Sequence, residues 1–481
     1  MNSTATAGPP GIRLGIARGI GYGLFGAPDG FVPQARGLGA GLVRVYVHWG
    51  RVEPEPDRED WTVVDAILAQ LDPAAEVWIT VCSSSPWATR RPTGFLPSSP
   101  AHDIRRYEAF VSRLVSRCRG RVAYWQCDNE PSNTGLLWAG TAPEYVAQLT
   151  AFARAVRGAD PGAHVVLGGC GYDVWSSPED GPARLFFDHL VEHGRDAFDL
   201  FSVHLYGNPH DIPAQIGLAR AMMRRHGYER PVVAGEYNGP TLFELPAAQA
   251  EFERAMTAAF TGRAAPADPA DPEDTPDRRT MRDLYARADE LPAELRMFME
   301  DCPPGLAARR DRINCRQIVT RNILALASGV TRTVCWNLAP EIPGYRDRLN
   351  VMGFLFGKLA LMDYDGSVLT RRHPSGEAFA RLAAHLDGAT AVRPFDTGAD
   401  TGPYAFEITR DGRAPLYVLW SAGDLLTGED LPAVPLDLPW PHAVPEAVDA
   451  FGAPVVVEGG EGTVRVPVSV TPLFLTPAGQ E

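Results

Sequence analysis

The stretch VAYWQCDNEPSN, Val122 to Asn133, decides how this chain reads. Its first half is β-branched and aromatic, the composition of a strand. Its second half departs from ordinary turn chemistry, because Asp128, Asn129 and Glu130 are stopped by Pro131. Strands that feed a core usually end in Gly, Asn or Asp turns, not in a carboxylate beside a carboxamide. A carboxyl group at a strand end points to chemistry there.

Working outward, seven further runs of the same character appear: IRLGIA from Ile12, LVRVYVHW from Leu42, EVWITVCS from Glu76, HVVLGGC from His164, FDLFSVHLY from Phe198, PVVAGEY from Pro231 and RTVCWN from Arg332. Between them lie segments such as DIRRYEAFVSRLVSRC and APEYVAQLTAFARAVRG, whose apolar residues return every three or four positions. Eight strand–helix alternations predict an α/β fold, a (β/α)8 TIM barrel. The interval from Pro231 to Arg332 is more than twice any other, so an insertion is expected at about 241–304. It holds AAPADPADPEDTPD, too rich in Pro, Asp and Ala to pack. Following the seventh strand, it should lie on the face where barrels carry their sites.

From about Gly388 the runs shorten, as in PLYVLWSA, APVVVEG and GTVRVPVSVTPLFLTP, with Pro and Gly between them. These predict a C-terminal antiparallel β-sandwich. The expected organisation is an N-terminal tail over 1–11, a barrel over 12–387 and the sandwich over 388–481.

Composition bounds the function. With 481 residues and 45% hydrophobic content, the chain can bury a barrel and a companion domain. A net charge of -14 repels polyanions, so nucleic acid is not an expected partner. No window is apolar enough for a membrane span, and MNSTATAGPPGIRLGI has neither a basic start nor an apolar stretch of a signal peptide. A cytoplasmic location is expected, with secretion open if a leader was removed. The seven cysteines sit singly, which suits reduced, buried thiols. CxxC, HExxH and EF-hand spacings are missing, so neither a metal nor another cofactor is expected.

Two glutamates stand at strand ends, Glu130 after the fourth run and Glu236 at the tip of VVAGEY. In a closed barrel both point into one mouth. Facing carboxyl groups are what glycosidic cleavage requires, one to protonate the leaving oxygen and one to attack carbon or activate water.

Asn129-Glu130-Pro131 and Gly235-Glu236 resemble the signature of clan A retaining glycoside hydrolases, most closely family 39, whose β-xylosidases and iduronidases join such a barrel to a β-sandwich. Gly140 to Gly169 has the look of the helix and fifth strand that follow the acid/base in that family. The resemblance implies that Glu130 is the acid/base, Glu236 the nucleophile and Asn129 a donor to the sugar 2-hydroxyl. It matches Arg44 to the clan's arginine near the nucleophile, Tyr206 to its tyrosine and Trp336 to its platform tryptophan. His204 shares a side of its strand with Tyr206. It reads equally as a substrate contact or as a core histidine. Trp87, His48 and Trp49, at or after strand ends, are expected around the same mouth. Asp128 is expected to support or cap.

The resemblance implies a glycoside or oligosaccharide substrate, β-linked, cleaved by double displacement. Transglycosylation would use the same residues, an acceptor sugar replacing water. A noncatalytic carbohydrate-binding barrel would not need both glutamates. A metal-dependent hydrolase would need an HxH pair that IRLGIA lacks. Sugar identity, linkage and exo or endo action depend on loop shape, above all Thr241 to Pro304, and oligomeric state leaves no mark in the sequence.

Overall fold

The computed structural model describes residues 11–253, 275–342, 347–398, 403–460 and 462–478. Residues 1–10 of the expected tail and all but the last three residues of the Pro-, Asp- and Ala-rich run lie outside this set. All eight runs read from the sequence are parallel strands of one closed barrel: β1 Arg13–Ala17, β2 Leu42–His48, β3 Glu76–Cys82, β4 Tyr124–Cys127, β5 His164–Cys170, β6 Leu200–Leu205, β7 Val232–Tyr237 and β8 Arg332–Cys335. Strand β1 pairs with β8 from Arg13–Arg332 to Ile16–Cys335, which leaves no open edge. Gly21, Gly23 and Gly26 have the spacing of a dinucleotide-binding turn, but they follow a strand of a closed barrel and open no helix there.

Alternation along the strands sorts side chains between two environments. On β2, Val43, Val45 and Val47 pack outward against the helices, whereas Leu42 faces the barrel axis. The axial layer holds Leu42, Trp78, Tyr124, Val166, Leu200, Val233 and Val334. Two residues further along four of these strands stand Arg44, Thr80, Gln126 and Ser202, all buried. The interior thus changes from apolar to polar toward the C-terminal ends of the strands.

Among the described residues between β7 and β8 come a short turn Leu242–Glu244, a helical segment over 246–253, helices Pro276–Ala286 and Ala293–Arg296, and the long helix Pro304–Ala327. Leu242, Ala248, Met281, Leu284, Leu295 and Phe298 form a core of their own there, closed by Ile313 and Phe354.

A hairpin, β9 Met362–Asp365 and β10 Val368–Arg372, precedes helix Pro374–His385 and was not apparent from the sequence. Beyond it lie β11 Ala389–Pro394, β12 Tyr404–Arg410, β13 Leu416–Trp420, β14 Val434–Trp440, β15 Pro445–Asp449, β16 Glu458–Gly460, β17 Gly462–Val468 and β18 Leu473–Pro477. They build a five-stranded antiparallel sheet ordered β11-β12-β13-β18-β15 and a three-stranded one ordered β14-β17-β16. Residues 453–457, read as a strand, are not one; only Pro454 bridges to Val448, and β15 and β16 flank them. Strand β15 begins with a proline and carries two acids, which an edge position tolerates and which hid it from a hydrophobic pattern.

The five-stranded sheet is buried on both faces. Phe406, Ile408, Leu416, Val418 and Phe474 join the core of the barrel helices, while Ala405, Tyr417, Leu419 and Leu475 pack on Leu438, Trp440, Val464 and Val466. Arg309, Arg312 and Arg316 of the long helix pair with Glu429 and Asp430 across this junction. No helix among the described residues is long and apolar enough to cross a membrane.

Candidate active site

Glu236 owes its direction to an irregularity in β7. Val233 faces the axis, so strict alternation would bring Gly235 inward and send Glu236 out to the helices. The pairing with β6 shifts instead, from Val203–Ala234 to His204–Glu236. One extra residue turns Glu236 into the mouth, as β-bulges do beside active sites. Gly235 fits the space because a Cβ there would stand 2.4 Å from Ser202 Oγ.

Three donors hold the carboxylate. Arg44 Nη1 donates to Glu236 Oε1 at 2.9 Å, Tyr46 Oη donates to the same oxygen at 2.8 Å, and Tyr206 Oη donates to Oε2 at 3.0 Å. Burial by itself raises the Glu236 carboxyl, but His204, Arg44 and the two tyrosine hydroxyls outweigh it and hold it below the ordinary glutamate value. Burial, with Glu236 alongside, pushes both tyrosines well above the usual phenol value, so their hydroxyls remain donors. Arg44 is itself fixed by Thr80 Oγ1 at 3.1 Å, the Gly235 carbonyl at 2.7 Å and Asn129 Oδ1 at 2.8 Å.

Glu130 comes from the other side. Its backbone and that of Asp128 have φ of 41° and 52°, a left-handed conformation that non-glycine residues adopt at a cost of about 1–3 kcal/mol each. Asp128 anchors this turn: it is buried and accepts from the Ser83 backbone N–H at 2.7 Å and from Gln148 Nε2 at 3.1 Å. The supporting role expected of it is the one its contacts describe. The Asn129 carboxamide is oriented by Arg44 and by Gln126 Nε2, which donates to Asn129 Oδ1 at 3.3 Å. With its oxygen so engaged, its NH2 group remains a donor.

His204 stands between the glutamates, with Nδ1 2.5 Å from Glu130 Oε1 and 3.4 Å from Glu236 Oε2. One atom from each of Glu130, His204 and Glu236 lies within 4.8 Å of the others. Three such atoms are a possible cation cage, but Arg44 already supplies the positive charge against Glu236, and a dication would meet its repulsion.

Trp336, half-buried after β8, meets the Tyr46 ring edge-on at 5.7 Å and so borders the carboxylate cluster. Three aromatic expectations meet other surroundings. His48 is buried with both nitrogens engaged, by Ser84 Oγ and the Ile20 carbonyl, each at 2.8 Å. Trp87 bonds the Glu53 carbonyl at 2.8 Å and lies under the Arg106 guanidinium. Trp49 is fully buried, stacked on Phe110. Placement near a strand end does not fix whether a ring leans over the mouth or back under the helices. Sequence reading passed over Tyr46, whose signal was its spacing: it lies two residues after Arg44 and shares its face of β2. Phe356, whose ring meets Tyr206 at 5.8 Å, had no comparable signal.

No family model matches the sequence, and no curated protein matches it. Solved structures do match. A family 39 glycoside hydrolase from Bacteroides cellulosilyticus gives a TM-score of 0.61 over 97% of this chain and 81% of its own, at 13% identity. The chain shares its fold with family 39 glycoside hydrolases. A family 39 β-xylosidase from Caulobacter crescentus gives 0.55 over 97% and 96% of the two chains, at 14% identity. A glucosidase from Croceicoccus marinus gives 0.56 over 97% and 95%, at 16% identity. These neighbours are glycoside hydrolases, and at such identities the likeness carries the fold.

Proposed function

We propose that this chain is a retaining glycoside hydrolase that cleaves β-linked O-glycosides, with Glu130 as acid/base and Glu236 as nucleophile. The observation that carries the reading is the cluster itself: a carboxylate kept ionised by Arg44, Tyr46 and Tyr206, with one oxygen within 4.8 Å of Glu130. That proximity supports direct attack, for which carboxyl groups stand about 5–5.5 Å apart. In the first step a Glu236 oxygen bonds the anomeric carbon as the bond to the leaving oxygen breaks and Glu130 passes its proton to that oxygen. In the second, Glu130 takes a proton from water, the water oxygen bonds the anomeric carbon, and Glu236 leaves as carboxylate. Asn129, with its NH2 free to donate, is placed to hold the 2-hydroxyl, a contact that gains strength as charge develops on the ring.

The test is nitrophenol release from β-xyloside, β-glucoside, β-galactoside and α-arabinoside. The wild type is expected to turn over at least one. Glu236→Ala should lower that turnover by roughly 10³-fold or more, with azide restoring it as a glycosyl azide of inverted configuration. Glu130→Ala should spare aryl glycosides with good leaving groups more than those with poor ones. Undiminished turnover by Glu236→Ala, or equal losses on both substrate types for Glu130→Ala, contradicts the assignment.

A further inference from the structure

Two residues past Glu236, at the exit of β7, the buried side chain of Asn238 ties three other segments to its own. Its Nδ2 donates to the Trp336 carbonyl at 2.5 Å and to the Leu359 carbonyl at 2.8 Å. Its Oδ1 accepts from the Gly239 N–H at 2.8 Å and from Asn314 Nδ2 of the long helix at 2.8 Å. Both hydrogens and both lone pairs of the carboxamide are thereby used. Two carbonyls on one side and two N–H donors on the other admit one orientation of the amide. Neither aspartate nor leucine, each of much the same shape, serves both sides.

The two bonds from Nδ2 lead to two rings beside the nucleophile. Trp336 is gripped by successive residues of the strand that carries Glu236: its N–H donates to the Tyr237 carbonyl at 2.9 Å, and its carbonyl accepts from Asn238. Its indole meets the Tyr46 ring, whose hydroxyl donates to Glu236 Oε1. Leu359 closes a turn back onto helix Val351–Phe356, its N–H donating to the Phe356 carbonyl at 3.0 Å. The Phe356 ring meets Tyr206, whose hydroxyl donates to Glu236 Oε2. Phe354 of the same helix is built into the core of the insertion. The rings thus reach Glu236 by way of its two oxygens, and one amide group holds the backbone behind each. Aromatic walls bind by close contact, so a shift of about 1 Å in either ring loosens what lies between them.

We propose that Asn238 is a positioning residue that sets the spacing of Trp336 and Phe356, the two aromatic walls between which the sugar is held over Glu236. What is bound rests on the glycosidase reading above; how the rings are held does not.

The experiment pairs kinetics of Asn238→Ala on an aryl glycoside with fluorine-19 NMR of protein carrying 5-fluorotryptophan. Trp336 is one of ten tryptophans, and its resonance is the one missing from Trp336→Phe. In folded Asn238→Ala that resonance should move or broaden, while those of the fully buried Trp49 and Trp125 stay in place. KM should rise by about tenfold or more with kcat falling by less than about threefold, the split expected when substrate and transition state lose the same contacts. The donors to Glu236 are untouched, so the acidic limb of kcat/KM should not move. An unmoved Trp336 resonance, or a fall in kcat with KM unchanged, overturns the proposal. Where Asn238→Ala does not fold, the wild type decides. Nitrogen-15 NMR of the Asn238 NH2 group, assigned through its proximity to Trp336, should show both hydrogens strongly protected from exchange with solvent, and rapid exchange overturns the proposal. A displaced Trp336 resonance in a chain that hydrolyses no glycoside would instead sink the glycosidase reading and leave the role of Asn238 standing.

Discussion

At the scale of single residues, Glu236 Oε1 accepts from both Arg44 and Tyr46 while Oε2 accepts from Tyr206, so the two oxygens are not equivalent. Tyr46→Phe removes one donor and leaves the ring that packs against Trp336. We expect kcat to fall by about 10–100-fold with a smaller change in KM, a loss at the modest end for a preorganised donor. The Tyr46 hydroxyl is one of the groups that lower the Glu236 carboxyl. Its removal raises the pH at which Glu236 takes up a proton, so the acidic limb of the kcat/KM profile should move upward. A profile that keeps its acidic limb would show that Arg44 and Tyr206 suffice. The glutamates stood out in the sequence as a pair, one just after the fourth run and one at the tip of the seventh. Tyr46 was legible in principle from its parity with Arg44. His48 continues that parity, but its nitrogens are committed to Ser84 and Ile20, and only the fold shows that.

At the scale of elements, the site depends on strands that break their own rhythm. The β5–β6 register shifts between Leu167 and Cys170, and Gly169 lies within the shift, where a Cβ would stand 2.0 Å from His204 Nε2. Gly169→Ala must therefore displace His204. We expect a loss of stability of about 1–3 kcal/mol, read from urea midpoints, and a fall in activity beyond what that loss explains. Gly158→Ala is the matching control. Its Cβ would meet nothing within 4 Å in the exposed last turn of helix Ala142–Ala159, and it should stabilise by about 0.5–1 kcal/mol. Equal effects of the two substitutions would mean that the shift is incidental to His204. Hydrophobic pattern revealed every barrel strand because each buries an apolar outward face. It could not reveal the shifts, because one extra residue leaves composition unchanged while reversing which side chains point inward.

At the scale of the whole molecule, one continuous core runs from the barrel helices into the five-stranded sheet. Its central strand, LYVLW, is buried at every position, the mark of a strand covered on both faces, and that signal was present in the sequence. We expect a single unfolding transition by calorimetry and fluorescence alike; two separated transitions would show that barrel and sheets fold independently. Acid should weaken this unit. Burial lowers His48 and His385 from 6.5 to about 4, so between those values the unfolded chain binds more protons than the folded one. Stability is then full above about pH 6.5 and falls as pH drops toward 4. His48, fully buried, accounts for about 3 kcal/mol of that fall. The urea midpoint should drop between pH 7 and pH 5, and drop less in His48→Gln.

Strand β18 has a consequence during synthesis. It is synthesised after every other described strand, yet it sits between β13 and β15, and its Phe474 stacks on His385. The five-stranded sheet therefore cannot close until β18 has been made, although the barrel strands are complete more than a hundred residues earlier. Through that interval the nascent chain carries an uncovered greasy flank, and its yield in a host cell will depend on how well chaperones shield that flank and on how slowly the stretch from β8 to β18 is translated.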